Sequence, residues 1–462
     1  MKKTDIKLLY NDYENLNNKQ VCIGGWIRSS RDLKDFGFLD VNDGTCFKGV
    51  QVVFDRAKAQ NYDELAKLNA GSSVVCTGTL VVTPENKQPF EIKADEVTIL
   101  SATDQEYPLQ KKRHSAEFLR EIAYLRPRTN LFNAVFRVRS ETSFAIHKFF
   151  NEEGFVYVHT PIITGADCEG GSDVFRVTTH NFYDEKTMKE ATPENDFFGK
   201  NVFLTPTGQL EGEALALAFS KVYTFGPTFR AENSNTTRHA SEFWMIEPEV
   251  AFNDLSDNMD LIEKMVKYLI NHLLKTCKTE IEFFNQFVDN TLLARLTNII
   301  SNKFERITYT EAIKQLEKHN DSFEFKAYWG CDMQSEHERY LTEHIYKKPV
   351  FVTDYPKEIK AFYMRLNDDK KTVAACDLLV PGIGEMVGGS QREERLDVLL
   401  ELMSDKGLKE QDYWWYLNLR KYGSVVHSGF GLGFERFLMY VTGVNNIRDV
   451  QIFPRTPNNC NF

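Results

Sequence analysis

The sequence predicts an α+β protein in two parts, a small five-stranded β-barrel followed by a larger domain of mixed helices and strands. Three observations predict it. Between residues 20 and 100, short apolar runs alternate with turn signals; after Ser101 the spacing becomes that of long helices; and 462 residues exceed what one core normally holds.

The barrel strands are expected at Val21 to Ile27, Phe36 to Val41, Gly49 to Phe54, Ser73 to Val82 and Phe90 to Leu100. Asn42-Asp43-Gly44 and Pro84-Glu85-Asn86 supply turns, and a helical stretch near Tyr62 to Leu68 falls between the third and fourth strands. That order suggests an OB-type barrel. A basic connector ends at Arg126-Pro127-Arg128, giving expected boundaries of 1–104 for the barrel, 105–128 for the connector and 129–462 for the second domain. From Thr129 a long helix keeps Leu131, Val135, Val138, Ala145, Ile146 and Phe149 in register until Gly154. Further helices are expected over Gln209–Ser220, Ser256–Thr276, Thr310–Glu317, Arg392–Lys406 and Phe434–Thr442, and Asp184 to Lys200 reads as an insertion loop.

Composition excludes several classes. Hydrophobic content of 42% with 26% charged residues is that of a globular protein. No apolar run approaches the roughly eighteen residues of a membrane span, and the first residues carry no signal-peptide pattern. The eight cysteines lie far apart with no C-x-x-C pair, pointing to free thiols in a reducing, cytoplasmic setting. The net charge of −10 argues weakly against nucleic acid, because charge is uneven: Lys111 to Arg139 holds eight Lys/Arg against two Glu. Arg28, Arg31 and Lys34 form a second basic cluster.

The common nucleotide-binding loops are missing, since neither G-x-x-x-x-G-K-[ST] nor G-x-G-x-x-G occurs. Three other segments carry chemistry. Lys221 to Phe252 reads strand, polar loop, strand, and alternation puts Phe243, Met245, Glu247 and Glu249 on one face and Arg230 with Glu232 on another. If the two faces coincide, an arginine meets several carboxylates, a set too costly to bury without ligands. In Asp377 to Arg395, three glycines surround Glu385 and Arg392 follows. In GFGLGFERFLMYVTG, Arg436 lies in the first turn of a helix, off its apolar stripe. A cation there opposes the helix dipole, so a bound anion accounts for it better than packing does.

These segments resemble the three motifs of class II aminoacyl-tRNA synthetases: FRAE with its hairpin is similar to motif 2, GFGLGFERF to motif 3, and the helix from Thr129 with Pro161 to motif 1. The N-terminal barrel resembles that of the aspartyl, asparaginyl and lysyl subgroup. FLTPTGQLEGEAL, RHASEFWMIEPEVAF and GEMVGGSQREERLD look specifically like its asparaginyl members. The resemblance implies an antiparallel sheet flanked by helices, a homodimer, ATP and L-asparagine as substrates, Mg2+, and tRNA(Asn) as acceptor. It implies that Arg230 bridges the amino-acid carboxylate and the α-phosphate, and that Arg436 holds the γ-phosphate with Arg238 and His239. Phe243 would stack on adenine, Glu232 would receive its amine, and Gly433 would border the nucleotide. Glu385 and Asp377 would coordinate the metal. Gln209 and either Glu169 or Glu247 would meet the α-amino group, and Arg31, Phe38 and Gln51 the anticodon.

Asparagine is favoured over aspartate by one subsite. Where aspartyl relatives place a lysine, this chain has Gly212, followed by Glu213. Glu213 could accept from an amide NH2 and repel a carboxylate, while Arg392 donates to the amide oxygen. The alternatives are a non-discriminating aspartyl enzyme and a non-catalytic synthetase-like binding protein.

Overall fold

The computed structural model describes residues 2–462 except 87, 111, 166–172 and 235, so Glu169 lies outside the described residues. The chain divides into two compact units, Met1–Ala134 and Val135–Phe462.

In the first unit, β1 (Gln20–Asp32), β2 (Phe36–Asn42), β3 (Val50–Asp55), β4 (Ser73–Val82) and β5 (Phe90–Ser101) close into a barrel of order β1-β2-β3-β5-β4. Strict alternation builds it. Leu39, Val41, Val50, Val52 and Phe54 fill the interior, while their neighbours face outward. Phe38 is among the outward set. It stands opposite Arg31 in the β1–β2 register, half-buried, with its ring edge-on to Phe36 at 5.4 Å. Gln51 faces outward on β3 opposite Asp40, its amide donating to Glu91 Oε2 at 3.1 Å. Neither side chain belongs to the barrel interior.

The basic run changes meaning in three dimensions. Arg126 is fully buried with its guanidinium 4.4 Å over the Phe132 ring, and Arg139 pairs with Glu435 at 2.8 Å. Both are structural, so less of this charge is available to a polyanion than the sequence count suggests.

The second unit is organised by one sheet. Its strands are β6 (Val156–Tyr157), β10 (Lys221–Phe229), β11 (Glu242–Ala251), β12 (Glu305–Thr308), β13 (Val350–Pro356), β14 (Thr372–Val380), β15 (Gly384–Gln391) and β16 (His427–Gly433). The intervening β7 (Ile163–Thr164), β8 (Arg176–Val177) and β9 (Val202–Leu204) form a separate three-stranded sheet. The large sheet has the order β12-β13-β14-β15-β16-β11-β10-β6. It is mixed rather than wholly antiparallel: β6 joins β10, and β12 joins β13, in parallel. Parallel neighbours need crossover connections; the helix Tyr309–Glu317 lies within the β12–β13 crossover and Gln209–Phe219 within that from β6 to β10. Leu316, Val352, Leu379, Leu399 and Tyr416 belong to one core cluster that joins strands to helices. The long helix Asn130–Glu152 and the helix Phe434–Thr442 appear where periodicity put them. The expected insertion loop contains a helix, Glu185–Glu190, because Asp184 caps it by accepting from Thr187 N at 2.9 Å.

Arg139 ties the long helix to Glu435, whose other oxygen accepts from Trp244 N at 2.9 Å on β11. Because Glu435 is buried, Arg139→Met leaves an uncompensated charge and is expected to lower stability by about 3 kcal/mol. Chemical denaturation of the variant measures this.

Candidate active site

The four central strands bring the three sequence segments to one place. β11 pairs with β16 at Met245↔Gly433 and Glu249↔Gly429, and β15 pairs with β16 at Gly388↔Gly431. Over them lies a cavity of about 260 Å³ whose wall includes Gln209, Arg230, Met245, Glu247, Glu249, Asp377, Glu385 and Arg392. The alternation read from the sequence thus holds. Met245, Glu247 and Glu249 share the face that meets Arg230, although the regular strand ends one residue earlier, at Phe229. Gly429 is required by close approach rather than by turn geometry, and Gly388 stands where space is tight. A Cβ on Gly429 would collide with the Glu249 carboxylate, and one on Gly388 would stand 3.1 Å from Glu385 Oε1 and 3.5 Å from Asp377 Oδ1.

At one end of the cavity Arg392 grips Glu249 with Nε and Nη2, the former at 3.1 Å, and donates through Nη1 to Ser390 Oγ at 2.8 Å. Burial raises the Glu249 carboxyl, and the charge and hydrogen bonds of Arg392 oppose this. Glu247 is fixed by Thr207 Oγ1, by Gly208 N at 3.0 Å and by Thr224 Oγ1 at 3.2 Å.

Glu213 requires a correction. It is fully buried and does not form the cavity wall. Its oxygens accept from Tyr416 at 2.8 and 2.9 Å, Arg420 at 2.8 Å, His427 at 3.0 Å and Gln209 at 3.2 Å. With its lone pairs so committed, it is withdrawn from the place expected for it, and Glu249, paired to Arg392, is the carboxylate that lines this end of the cavity. A Cβ on Gly212 would touch Glu249 Cγ at 3.4 Å, so a longer side chain there would project against this pair.

At the other end Arg230 lies 5.4 Å from the centre of the Phe243 ring. Glu232 follows it in the half-buried connection, where His239 Nδ1 is held by Thr236 at 2.6 Å. Gly433 ends β16 and caps the helix that carries Arg436. Arg436 Nη1 donates to Glu385 O at 3.1 Å and Oε2 at 3.3 Å. Arg436 also opens onto a second cavity of about 300 Å³, lined by Arg238, Arg295, Arg339 and Asp289. Burial, then the charges of Arg436 and Arg339, depress the Arg238 guanidinium. This wall suits a polyanion.

Between the cavities lies an acidic group. Asp377 Oδ2 accepts from Lys360 Nζ at 2.6 Å, and Glu338 Oε2 accepts from Glu385 N at 3.1 Å. Burial raises the Asp377 carboxyl, Lys360 opposes this, and Glu385 adds to it. Burial and the charge of Glu385 raise Glu338 to about 7.

A family model described as tRNA synthetases class II (D, K and N) matches residues 115–457, and one described as OB-fold nucleic acid binding domain matches 21–100. Asparagine–tRNA ligases of Acetivibrio thermocellus and Clostridium tetani are 59% and 60% identical to the chain over 464 residues, covering 100% of each sequence. The chain belongs to the asparagine–tRNA ligase family of class II synthetases. Asparaginyl-tRNA synthetase of Pyrococcus horikoshii, solved in complex with asparaginyl-adenylate, matches with a TM-score of 0.88 at 33% identity, covering 100% of this chain and 99% of that one.

Sequence reasoning found the hairpin, Glu385 and Arg392 but missed Lys360, Glu338, Arg295 and Arg339 as cavity neighbours. Glu338 and Arg339 fall in a helix without a motif, and only folding sets them beside Glu385 and Arg436. The raised Glu338 carboxyl gives a measurable pH dependence. Its contribution to stability is full below the ordinary value of 4.5, declines as pH rises, and is lost above about 7. Urea midpoints of the chain should therefore fall between those pH values, and Glu338→Gln should flatten that decline.

Proposed function

We propose that this chain ligates L-asparagine to tRNA(Asn) with consumption of ATP, through asparaginyl-adenylate, and that the reaction takes place in the cavity between Arg230 and the Arg392–Glu249 pair. The observation that carries this reading is that pair: a donor and an acceptor, buried side by side at the cavity's end. Arg392 donates to the side-chain carbonyl of asparagine and Glu249 accepts from its NH2. Aspartate would place a second negative charge against Glu249 in a low dielectric and leave an acceptor without its donor.

The asparagine α-carboxylate, already ionised, attacks the α-phosphorus of ATP. A C–O–P bond forms, the bond to the bridging oxygen breaks, and pyrophosphate leaves, so no general base is needed. What the protein contributes is orientation and charge. Arg230 lies between the carboxylate and the α-phosphate and gains interaction as negative charge builds at phosphorus. Gln209 and Glu247 receive the α-ammonium group. Phe243 stacks on adenine and Glu232 accepts from its exocyclic amine. Arg436, Arg238 and His239 hold the γ-phosphate, and Arg295 with Arg339 extends the cationic wall toward which pyrophosphate departs. Glu385 and Asp377, whose oxygens converge at Gly388, would hold Mg2+. A two-carboxylate set leaves the remaining positions to phosphate oxygens and water, as Mg2+ prefers, and the ion would neutralise phosphate charge. A terminal ribose hydroxyl of the tRNA then attacks the adenylate carbonyl and releases AMP, while Arg31, Phe38 and Gln51 on the barrel's outer face read the anticodon by stacking and base-edge hydrogen bonds.

The chain acts as a homodimer. Phe144 is 62% exposed on the long helix, and one turn on, His147 packs 5.1 Å from the half-exposed ring of Tyr157 on β6. An apolar strip continuous with a sheet edge favours a second copy of the same surface.

Arg230→Ala is expected to reduce asparagine-dependent ATP–pyrophosphate exchange by at least about 10³-fold, without change in sedimentation; near-normal exchange would remove Arg230 from its role. Phe144→Asp should shift the wild-type dimer toward monomer in sedimentation velocity, and a wild-type monomer would discard the interface.

A further inference from the structure

We propose that Glu213 is a positioning residue that fixes the amide of Gln209, and that Tyr416, Arg420 and His427 are the buried set that holds Glu213 for this purpose. The inference rests on the reading of the cavity as the asparagine site and deepens it.

Gln209 and Glu213 stand four residues apart on one helix and therefore share a face. Gln209 reaches the cavity; Glu213 stays behind it. An amide can present either end, and the two orientations differ little in shape. A carboxylate removes the ambiguity because, once ionised, it only accepts. Gln209 Nε2 therefore turns to Glu213 Oε1 at 3.2 Å, and the carbonyl Oε1 is the atom left to offer the cavity. An acceptor there suits the substrate's ammonium group, whereas the reversed amide would set an N–H against it.

The device works only if Glu213 keeps its charge while fully buried. Burial alone would raise its carboxyl; the Arg420 charge, then the His427 hydrogen bond and charge, bring it below the usual carboxylate range. Arg420 Nη2 donates to Glu213 Oε2 and to Tyr416 Oη, both at 2.8 Å, and its Nε is anchored on Glu393 O at 2.9 Å. Tyr416 Oη spans both Glu213 oxygens. His427 has acceptors at both ring nitrogens, Glu213 Oε2 at 3.0 Å and Val425 O at 2.8 Å, and a ring that donates to both carries two N–H groups. The donors come from a helix and a strand remote in sequence. Tyr416 and Arg420 lie on Trp414–Lys421, and His427 opens β16. None of the three lines the cavity.

The test compares asparagine with 3-carbamoylpropanoate, which is asparagine without its amino group. Exchange kinetics give KM and kcat for asparagine, and competition gives the inhibition constant of the analogue. In Glu213→Gln the partner no longer dictates the amide orientation. KM for asparagine should rise about tenfold, kcat should change less, and the inhibition constant should stay within about twofold of wild type. Tyr416→Phe, which removes one hydroxyl and keeps the ring, should move the same ratio in the same direction and serves if Glu213→Gln does not fold. A parallel rise of both constants would mean general damage to the cavity and would overturn the proposal, as would no change in either. Wild-type protein that supports no exchange with asparagine would instead overturn the cavity reading itself, and the proposal with it.

Discussion

Arg392 and Glu249 are both buried beneath the central strands, with Glu213 and Arg420 behind them. Ions in such a place lose several kcal/mol of hydration each, and only close, multiple hydrogen bonds compensate. That requirement constrains the surrounding structure. Gly429 is needed because the Glu249 carboxylate fills the space of a side chain, and the β11–β16 register is needed because it sets Glu249 opposite that glycine. Ser390 accepts from the guanidinium, and the ring of Tyr363, itself in the cavity wall, lies 5.4 Å from it. The same pair that is costly to bury is the donor and acceptor on which the proposed choice of an amide over a carboxylate rests.

In the function proposed here, charge is distributed so that each part of the reaction would meet its complement. Positive groups lie where phosphate oxygens would gather, at Arg230, Arg436 and the arginine-lined second cavity. Carboxylates lie where a cation or an ammonium is expected, at Asp377 and Glu385 and at Glu247. A nucleophile that is already ionised needs no base, so side chains can act through fixed position alone.

The fold was legible wherever period and turn chemistry act locally. Ser73–Val82 and Phe434–Thr442 fall where the sequence put them, because alternation and a single apolar stripe are properties of one segment. The face shared by Met245, Glu247 and Glu249 was legible for the same reason. The two parallel pairs at the sheet margins were not, since crossover pairing depends on helices packing back on the sheet. The basic run was misread in part: spacing does not reveal that Arg126 stacks on Phe132 or that Arg139 finds Glu435.

By itself the sequence determined the two-part organisation, the hairpin with Arg230, the helix bearing Arg436 and the glycines around Glu385. Local geometry is enough to specify these. The tertiary structure decided which of two carboxylates lines the cavity. Glu213 and Glu249 are both acidic residues next to motif positions, and their surroundings separated only when a helix and a strand 203 to 214 residues away delivered Tyr416, Arg420 and His427 to Glu213, and Arg392, 143 residues on, paired with Glu249. Partner identity in a buried charge network is a long-range property, and no window of sequence contains it.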